Sequence, residues 1–320
     1  MDVDDSTNGI LLADVGGTNV RFAVLRGTEV GPVTRLEVAD HASLADAMAA
    51  YLAATAGTVH GAVLAVAGVV TGERCALTNN DWVVDAAELR ARFDLTAVRL
   101  VNDFEAIAWA LPQLAPADLK QIGGTRALAG APMVVLGPGT GLGVAACVPQ
   151  AGGDFIVHSE GGHASAPAGN TREAAVIAAL RSGFDHVSVE RLLSGPGLEN
   201  VYRALATIEH TEPSERCAAD IVAAARDGTC PTSRAALDMF CALLGDAAGN
   251  LALTFGAKGG VYIAGGIIAH LGDEIERSVF RTRFEAKGRM RGYVAAIPAY
   301  LIVHADPAFL GLRTLALRNA

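Results

Sequence analysis

The sequence predicts an α/β protein of two related domains with a cleft between them. Apolar runs of strand length alternate with helical patterns along the chain. Two segments, LADVGGTNVRFAV and VLGPGTGLGVAAC, each consist of an apolar strand, a glycine-rich turn and a second apolar strand. A second pair of similar segments lies further along each half: GAVLAVAG (61–68) follows the first hairpin, and GGVYIAGG (259–266) follows the second. We therefore expect a repeated domain with a larger second copy, and ligands in the cleft between the copies.

The composition argues against several classes of function. The chain has 320 residues, a net charge of −9, 51% hydrophobic residues and 36 glycines, which is typical of globular proteins. A diffuse negative surface disfavours nucleic acid and anionic membranes as partners. The start MDVDDSTNG lacks the pattern of a secretory signal, and the uncharged run 61–72 is too short to span a bilayer. The five cysteines are scattered without a C-x-x-C pair, so we expect a reduced, cytoplasmic protein acting on small molecules.

The first third of the chain is predicted to be rich in strands. Those strands are expected at 10–14, 20–25, 34–38, 61–66, 75–77 and 98–101. Helices are expected to begin near Ser43 and Asp85, because each is followed three residues later by an acid, Asp46 or Glu88. The proline-rich segment LPQLAPADL (111–119) then predicts a crossing between domains.

The second part of the chain is predicted to contain more helix. A strand at 132–137 leads into the second glycine hairpin, and further strands are expected at 259–266 and 300–304. Helices are expected around 172–182, 197–207, 216–226 and 233–254, and a last one after Pro307. We therefore expect a small domain of residues 1–112 with 305–320, and a large domain of residues 113–304 with helical insertions.

The segment DVGGTN interrupts two apolar strands with Asp14 and the adjacent glycines Gly16 and Gly17. One interpretation is a hairpin with a polar turn, because glycine permits positive φ and Asp and Asn bond nearby backbone. The other is a phosphate cradle, in which backbone N–H groups approach an oxyanion and Asp14 holds a metal ion or its water. GPGTGLG (137–143) would then hold the phosphates from the opposite side. The P-loop, G-x-G-x-x-G and D-F-G motifs do not occur.

Asn102 and Asp103 stand where a predicted strand ends and a helix begins. Either side chain could simply cap the helix. Alternatively, because parallel strands open at their carboxyl ends into the ligand crevice, Asp103 would be presented there as a general base. Asn102 offers both a donor and an acceptor to a hydroxyl-rich ligand.

The segment HSEGGHASAPAG (158–169) places Glu160 and His163 around two glycines. Three interpretations stay open: a surface loop without a role, a polyol-binding loop, and a metal site of the E-x-x-H kind. The glycines favour a loop over a helix, and no cysteine accompanies the pair. Glu190 precedes a glycine–proline turn and, judged by itself, is expected to be a solvated acid on a helix.

With these motifs in this order, the sequence resembles the bacterial-type glucokinases, which are hexokinase-like sugar kinases of the actin-like ATPase superfamily. The resemblance runs from DVGGTN through TNNDW, NDF, GPGTGLG, SEGGH, ERLLSGPGL and GGVYIAGGI to YLIVHADPAFLG. It covers nearly the whole chain. It implies the two-domain actin-like ATPase (ribonuclease H-like) fold with an interdomain cleft.

The resemblance also implies an activity: ATP-dependent phosphorylation of D-glucose at its 6-hydroxyl, giving glucose 6-phosphate. DVGGTN and the GTGLG hairpin would be the two phosphate loops, and GGVYIAGGI would lie at the adenosine pocket. Asp103 would be the catalytic base, and Asp14 would reach Mg²⁺ through water. The implied sugar-binding residues are Asn102, Asp103, Glu160, His163 and Glu190. The implied ATP-binding residues are Ala13, Asp14, Val15, Gly16, Gly17, Thr18, Gly137, Gly139, Thr140, Gly141 and Gly265.

Two departures from the family pattern and two rival functions bear on this expectation. The related repressor-and-kinase sugar kinases carry a cysteine-rich zinc motif after their Glu-x-x-His; this chain lacks it, so neither structural zinc nor an amino-sugar kinase is predicted. Ala13 stands where many relatives have glycine, and we expect no effect.

A non-catalytic sugar sensor is disfavoured because Asp103 is present, and a kinase using ADP or polyphosphate stays open. The sequence does not reveal the oligomeric state, although a homodimer is common among the proteins that it resembles.

Overall fold

The computed structural model describes residues 8–318 except 79, 212–213 and 272. The acidic segment 1–7, which entered the expectation of no secretory signal, and residue 79 of the TNNDW motif lie outside the described residues. The chain divides into two compact units. The first extends to Leu114 and resumes at His304, and the second comprises Ala115–Val303.

The described strands are short, and most lie in two sheets. In chain order they are β1 (Asn8–Val15), β2 (Asn19–Arg26), β3 (Glu29–Val30), β4 (Thr34–Glu37), β5 (Thr58–Val66), β6 (Val70–Thr71), β7 (Arg74–Ala76), β8 (Val83–Asp85), β9 (Ala97–Asn102), β10 (Leu119–Gln121), β11 (Met133–Pro138), β12 (Leu142–Val148), β13 (Phe155–Ser159), β14 (Val261–Ile263) and β15 (Ala299–Ile302).

The helices are concentrated in the second unit. In chain order they are α1 (Leu44–Ala53), α2 (Ala86–Phe93), α3 (Asp103–Ala110), α4 (Thr171–Leu180), α5 (Gly195–Ile208), α6 (Ala218–Arg226), α7 (Pro231–Phe255), α8 (Gly266–Leu271), α9 (Glu274–Arg277), α10 (Phe280–Glu285), α11 (Arg291–Ala295) and α12 (Pro307–Arg318).

The main sheet of the first unit has the strand order β3-β2-β1-β5-β9, with β4 also paired to β2. β1 and β2 form an antiparallel hairpin, whereas β1, β5 and β9 run parallel. In the parallel register Val15 lies beside Val66, and Val66 beside Asn102. The carboxyl ends of these strands therefore meet at one edge, where both DVGGTN and Asn102–Asp103 begin their turns.

The main sheet of the second unit has the order β10-β15-β14-β11-β12-β13. Here β11 and β12 form the antiparallel glycine hairpin, and β11, β14 and β15 run parallel. Each sheet thus has a glycine hairpin at its centre, followed by two parallel strands on one side. The repeat predicted from the sequence is present in this strand order, and the helices α4–α11 lie in the second copy.

Side-chain burial accounts for the helix positions. Apolar residues on both sides of the first sheet, such as Leu11 and Leu12, are fully buried because helices cover them. α3 and α12 pack closely enough that a Cβ at Gly311 would collide with the carbonyl oxygen of Ala106. The helices predicted near Ser43 and Asp85 begin there, with Ser43 Oγ accepting from Asp46 N and Asp85 Oδ1 accepting from Ala87 N.

Some helices and strands agree with the expectation from the sequence, and others were not predicted. The helices expected near 172–182, 197–207, 216–226 and 233–254 are present as α4 to α7. The strand β13 and the short helices α8 to α11 were not predicted, because segments of four to six residues carry little periodicity. α7 is long and apolar enough to cross a membrane by length and composition, but 67% of its most apolar stretch is buried inside the protein, as in a core helix.

Candidate active site

Asp14 lies one residue before the end of β1, directly opposite Arg21 on β2. Arg21 Nη1 donates to Asp14 Oδ2 at 3.0 Å and lies 3.6 Å from Asp306 Oδ1. The side chain of Asp14 is 19% exposed, and one guanidinium lies within 4 Å of two carboxylates. Burial raises the pKa of Asp14, and Asp306 raises it further, whereas Arg21 lowers it.

The first glycine turn closes by a hydrogen bond from Gly16 N to Asn19 O at 3.0 Å. Neither Gly16 nor Gly17 has positive φ, so a left-handed backbone is not the reason for glycine in this turn. A Cβ at Gly16 would lie 3.2 Å from Asn19 O, so space is the constraint there. Thr18 is exposed at the tip of the turn.

Ala13 and Val15 flank Asp14 in the strand, and their side chains are fully buried in the core of the first unit. These two residues can therefore offer a ligand only their main chain. Ala13 is accommodated at this position without exposure, and the expectation that it has no effect stays a prediction.

Asn102 is the N-cap of α3, and Asp103 is the first residue of that helix. Asn102 Oδ1 accepts from Phe104 N at 2.9 Å, and its Nδ2 donates to Gly68 O at 3.2 Å. The capping interpretation is therefore correct for Asn102, whose amide is largely engaged within the protein. Asp103 does not have to cap the helix, although its Oδ1 accepts from Phe104 N at 2.9 Å.

The environment of Asp103 suits proton transfer near neutral pH. Burial, assisted by the negative charge of Asp14, raises the pKa of Asp103 to about 7. The hydrogen bonds from Phe104 N and Asn102 oppose this rise without cancelling it. A carboxyl group with a pKa near the working pH is partly ionised and can accept a proton efficiently.

The second glycine turn belongs to the β11–β12 hairpin and includes Gly139, Thr140 and Gly141. Gly139 N donates to Gly141 O at 2.8 Å, and Gly139 O accepts from Gly195 N at 2.8 Å. The backbone of the turn is thereby fixed, and a Cβ at Gly139 would contact nothing within 4 Å. Such an open, fixed backbone leaves room for an oxyanion to approach.

Two further glycines support this hairpin. Gly137 is buried in β11 and pairs with Gly143 on β12. Gly265 follows β14 and has φ +102°, a conformation that favours glycine, and a Cβ there would collide with Pro138 O. Gly265 therefore lets the start of α8 approach the hairpin closely.

Glu160, His163 and Glu190 converge in the second unit. His163 Nε2 lies 3.8 Å from Glu160 Oε2, and His163 Nδ1 lies 4.0 Å from Glu190 Oε1. The segment Gly161–His163 is a short 3₁₀ turn, so the expected loop is found in place of an α-helix. The side chains of Glu160 and His163 are 64% and 60% exposed, which leaves their polar atoms available to a ligand.

Glu190 joins this cluster to the second glycine hairpin. Its Oε2 accepts from Leu142 N at 2.9 Å, and its backbone N donates to Gly162 O at 2.9 Å. The side chain is 24% exposed and lies in a turn before α5. The expectation of a solvated acid on a helix is therefore wrong, because the local sequence does not show the hairpin that packs against this residue.

The metal interpretation of E-x-x-H gains no support. Among the described residues, no group of three or more His, Cys, Asp or Glu side chains could hold a metal ion. The three polar side chains of the cluster are instead suited to exchange hydrogen bonds with hydroxyl groups.

Three residues of these sites were missed in the sequence. Arg21 and Asp306 accompany Asp14, and Asn80 Nδ2 donates to Gly17 O at 3.3 Å. Asn80 belongs to the TNNDW motif and Asp306 to HADPAFLG, so each stood within a recognised segment. Arg21 stands seven residues after Asp14, and only the hairpin register brings them together.

Comparison with known proteins identifies the family of this chain. The glucokinase family model matches residues 11–319. A glucokinase of Paramagnetospirillum magneticum is 47% identical over 96% of this chain and 97% of its own length. The crystal structure of a glucokinase from an Antarctic psychrotroph is 34% identical, covers 98% of this chain and 99% of its own, and superposes with a TM-score of 0.86. A ROK family glucokinase from Streptomyces griseus, crystallised with glucose and AMPPNP, covers 97% and 99% with a TM-score of 0.65 at 18% identity, and so shares the fold.

The repeated sheets and the similarity to a solved glucokinase define a sugar kinase with the two-domain actin-like ATPase fold. Within that class, the match to the family model and the identity over nearly the whole chain show the family of this chain. The chain belongs to the glucokinase family, and it is an enzyme of that kind.

Proposed function

We propose that this enzyme transfers the γ-phosphoryl group of ATP to the 6-hydroxyl of D-glucose, with Asp103 as the general base. The observation that carries the proposal is the hydrogen bond from Leu142 N to Glu190 Oε2, which joins the cluster of Glu160, His163 and Glu190 to a glycine hairpin. A hydroxyl-binding cluster and an oxyanion-binding turn that share a hydrogen bond suit a reaction between a sugar and a phosphate.

Glucose would be held by the polar side chains predicted from the sequence. Glu160, His163 and Glu190 would exchange hydrogen bonds with the ring hydroxyls. Asn102 would contribute less, because its Oδ1 and Nδ2 already bond Phe104 N and Gly68 O. An inverted or missing hydroxyl would leave a partly buried partner such as Glu190 unpaired, which is a strong source of discrimination.

Asp103 would take the proton from the 6-hydroxyl as its oxygen attacks the phosphorus. The carboxyl group is supported for this role by its pKa of about 7 and by its position at the carboxyl edge of the parallel strands. Phosphoryl transfer depends chiefly on positioning and charge stabilisation, so the reaction would need only one side chain that accepts a proton.

The backbone N–H groups of both glycine turns would face the phosphates of ATP. Mg²⁺ fits the residues present, because it is typically held by one or two carboxylates together with substrate phosphates and water. Asp14 would hold it through water, and Arg21 keeps that carboxylate oriented. When bound, Mg²⁺ neutralises charge that develops on the transferring phosphoryl group.

ATP is favoured over ADP or polyphosphate as the donor by analogy with the Streptomyces griseus enzyme, whose complex contains the ATP analogue AMPPNP. The remaining parts of the proposal are a small domain of residues 1–112 with 305–320, a large domain of residues 113–304, a homodimer and a cytoplasmic location. Sedimentation of the purified protein at several concentrations tests the dimer.

The proposal is tested by measuring phosphorylated product with ATP, ADP or polyphosphate against a panel of hexoses. We expect turnover with ATP and glucose, a requirement for added Mg²⁺, and no turnover of 6-deoxyglucose, which lacks the attacking oxygen. Phosphate at another position, a preference for another donor, or one stoichiometric zinc per chain would contradict it.

A further inference from the structure

The imidazole ring of His186 reaches back to the main chain of His163, 23 residues earlier. Its Nε2 lies 2.9 Å from His163 O. A carbonyl oxygen can only accept, so this partner requires a proton on Nε2 of His186, and the ring donates. An imidazolium also donates from Nε2, so the hydrogen bond does not depend on whether the ring is charged.

The bond to His163 O differs from those of the neighbouring residues because a side chain provides it. The carbonyl oxygens of Gly162 and Ala164 accept from backbone N–H groups of the segment 186–190, each at 2.9 Å. Every amino acid other than proline supplies such a backbone donor. The bond to His163 O comes instead from the ring of His186, so it depends on which residue stands at that position.

The backbone around His186 gives the ring a fixed base. Val187 and Ser188, which follow it, are 7% and 3% exposed. The guanidinium of Arg191 lies 4.3 Å from the centre of the Phe184 ring, so the two ends of this short segment also contact each other. His186 itself is exposed. A substitution at His186 therefore leaves the packed interior intact and changes mainly what its own side chain contacts.

His163 carries the ring that this hydrogen bond positions. Its Nε2 lies 3.8 Å from Glu160 Oε2, and its Nδ1 lies 4.0 Å from Glu190 Oε1. The side chain of His163 is 60% exposed, so little packing fixes the ring and its place depends on the main chain. Glu190 is held separately, by the bond from Leu142 N to its Oε2. A shift of the main chain at His163 would therefore change the distance between its ring and Glu190.

We propose that His186 is a positioning residue for sugar binding, whose hydrogen bond to His163 O sets the place of the His163 ring among the sugar-binding side chains. The inference rests on the proposed function, in which that ring exchanges hydrogen bonds with a hydroxyl of glucose. His186 acts on glucose only through His163. Loss of its hydrogen bond therefore weakens glucose binding and leaves ATP binding unchanged.

A matched pair of substitutions tests the role of this hydrogen bond. His186→Gln keeps an N–H donor near the place of Nε2, whereas His186→Met has a similar length and no donor. Calorimetric titration measures glucose affinity without nucleotide, and steady-state kinetics measure KM for glucose and for ATP. We expect roughly fivefold weaker glucose binding in His186→Met, the effect of one ordinary hydrogen bond, and wild-type binding in His186→Gln. The KM for ATP and the melting temperature should be the same in the wild type and in both variants.

A double substitution shows whether His186 acts through His163. In a chain that carries His163→Ala, adding His186→Met should weaken glucose binding no further, because no ring remains to be positioned. Equal glucose affinity in His186→Gln and His186→Met, or additive losses in the double variant, would overturn the inference. A lower melting temperature together with a higher KM for ATP in His186→Met would also overturn it, because the role of the residue would then be generally structural. A wild-type protein that binds no glucose would instead overturn the proposed function itself, so the two failures are distinguishable.

Discussion

Glu190 Oε2 lies 2.9 Å from Leu142 N and accepts its hydrogen bond. A side chain of the cluster of Glu160, His163 and Glu190 is thus hydrogen-bonded to the second glycine hairpin. A Cβ at Gly141 would stand 2.5 Å from the same oxygen. The absence of a side chain at position 141 is thus a condition for this bond. Under the proposed function, this relationship would make the hairpin a determinant of sugar binding as well as a phosphate loop.

Gly141→Ala should therefore weaken glucose binding, because the new methyl group displaces the Glu190 carboxylate. We expect roughly tenfold weaker binding, the cost of one lost hydrogen bond to a charged group. Gly139→Ala is the matched control, since a Cβ there contacts nothing within 4 Å and Glu190 stays in place. Calorimetric titration of glucose without nucleotide compares the two; equal glucose affinity in both variants would contradict the prediction.

Asp103→Asn should abolish most turnover while keeping glucose binding and folding. The amide preserves the shape but cannot accept the proton, so kcat should fall by about 10²–10⁴-fold. Folding should persist because Asn102, not Asp103, is the N-cap of α3. Turnover, glucose affinity and melting temperature should be measured together, with Asn102→Ala as the variant that removes the cap and lowers stability by about 1 kcal/mol. Near-normal turnover of Asp103→Asn would reject the base assignment.

The pH profile of kcat/KM for glucose should report the pKa of Asp103, which is about 7. Below that pH the base is protonated, and kcat/KM should fall about tenfold per unit. Because the folded state binds this proton more tightly than the unfolded chain, its contribution to the free energy of unfolding decreases as pH rises from the ordinary value of 3.8 through about 7. Asp103→Asn should lack that decrease; a flat activity profile between pH 5 and 8 would refute the prediction.

Glu173→Gln should lower stability far more than the loss of an exposed ion pair. Glu173 is 2% exposed and binds Arg283 Nη1 at 2.5 Å and Gly169 N at 2.7 Å. Removing its charge leaves a largely buried guanidinium uncompensated, which typically costs about 3 kcal/mol. Asp273→Asn is the control, since Asp273 is 57% exposed beside Lys120 and should cost less than about 1 kcal/mol. Urea unfolding measures the free energy of unfolding of both variants; similar losses would show that the buried ion pair contributes no more to stability than the exposed one.

The order of the motifs in the sequence predicted the fold class and the repeated sheets without a structure. Alternating apolar runs predicted the α/β class, and the repeated hairpin predicted the two related sheets, because strand pairing is encoded locally by polarity and by glycine turns. The role of Asp103 as a general base, inferred from its position after a strand, stays a prediction, and the cap at Asn102 was one of the interpretations left open. These features depend on neighbours within a few residues along the chain.

Only the tertiary structure decided the features that depend on residues distant in sequence. Arg21 meets Asp306 because β2 and the start of α12 lie at the same edge, and Glu190 leaves solvent because a hairpin 48 residues away packs against it. The pKa of Asp103 rises because burial and Asp14, 89 residues earlier, act on it together. Burial and through-space charge are properties of the packed chain, so no local pattern in the sequence contains them.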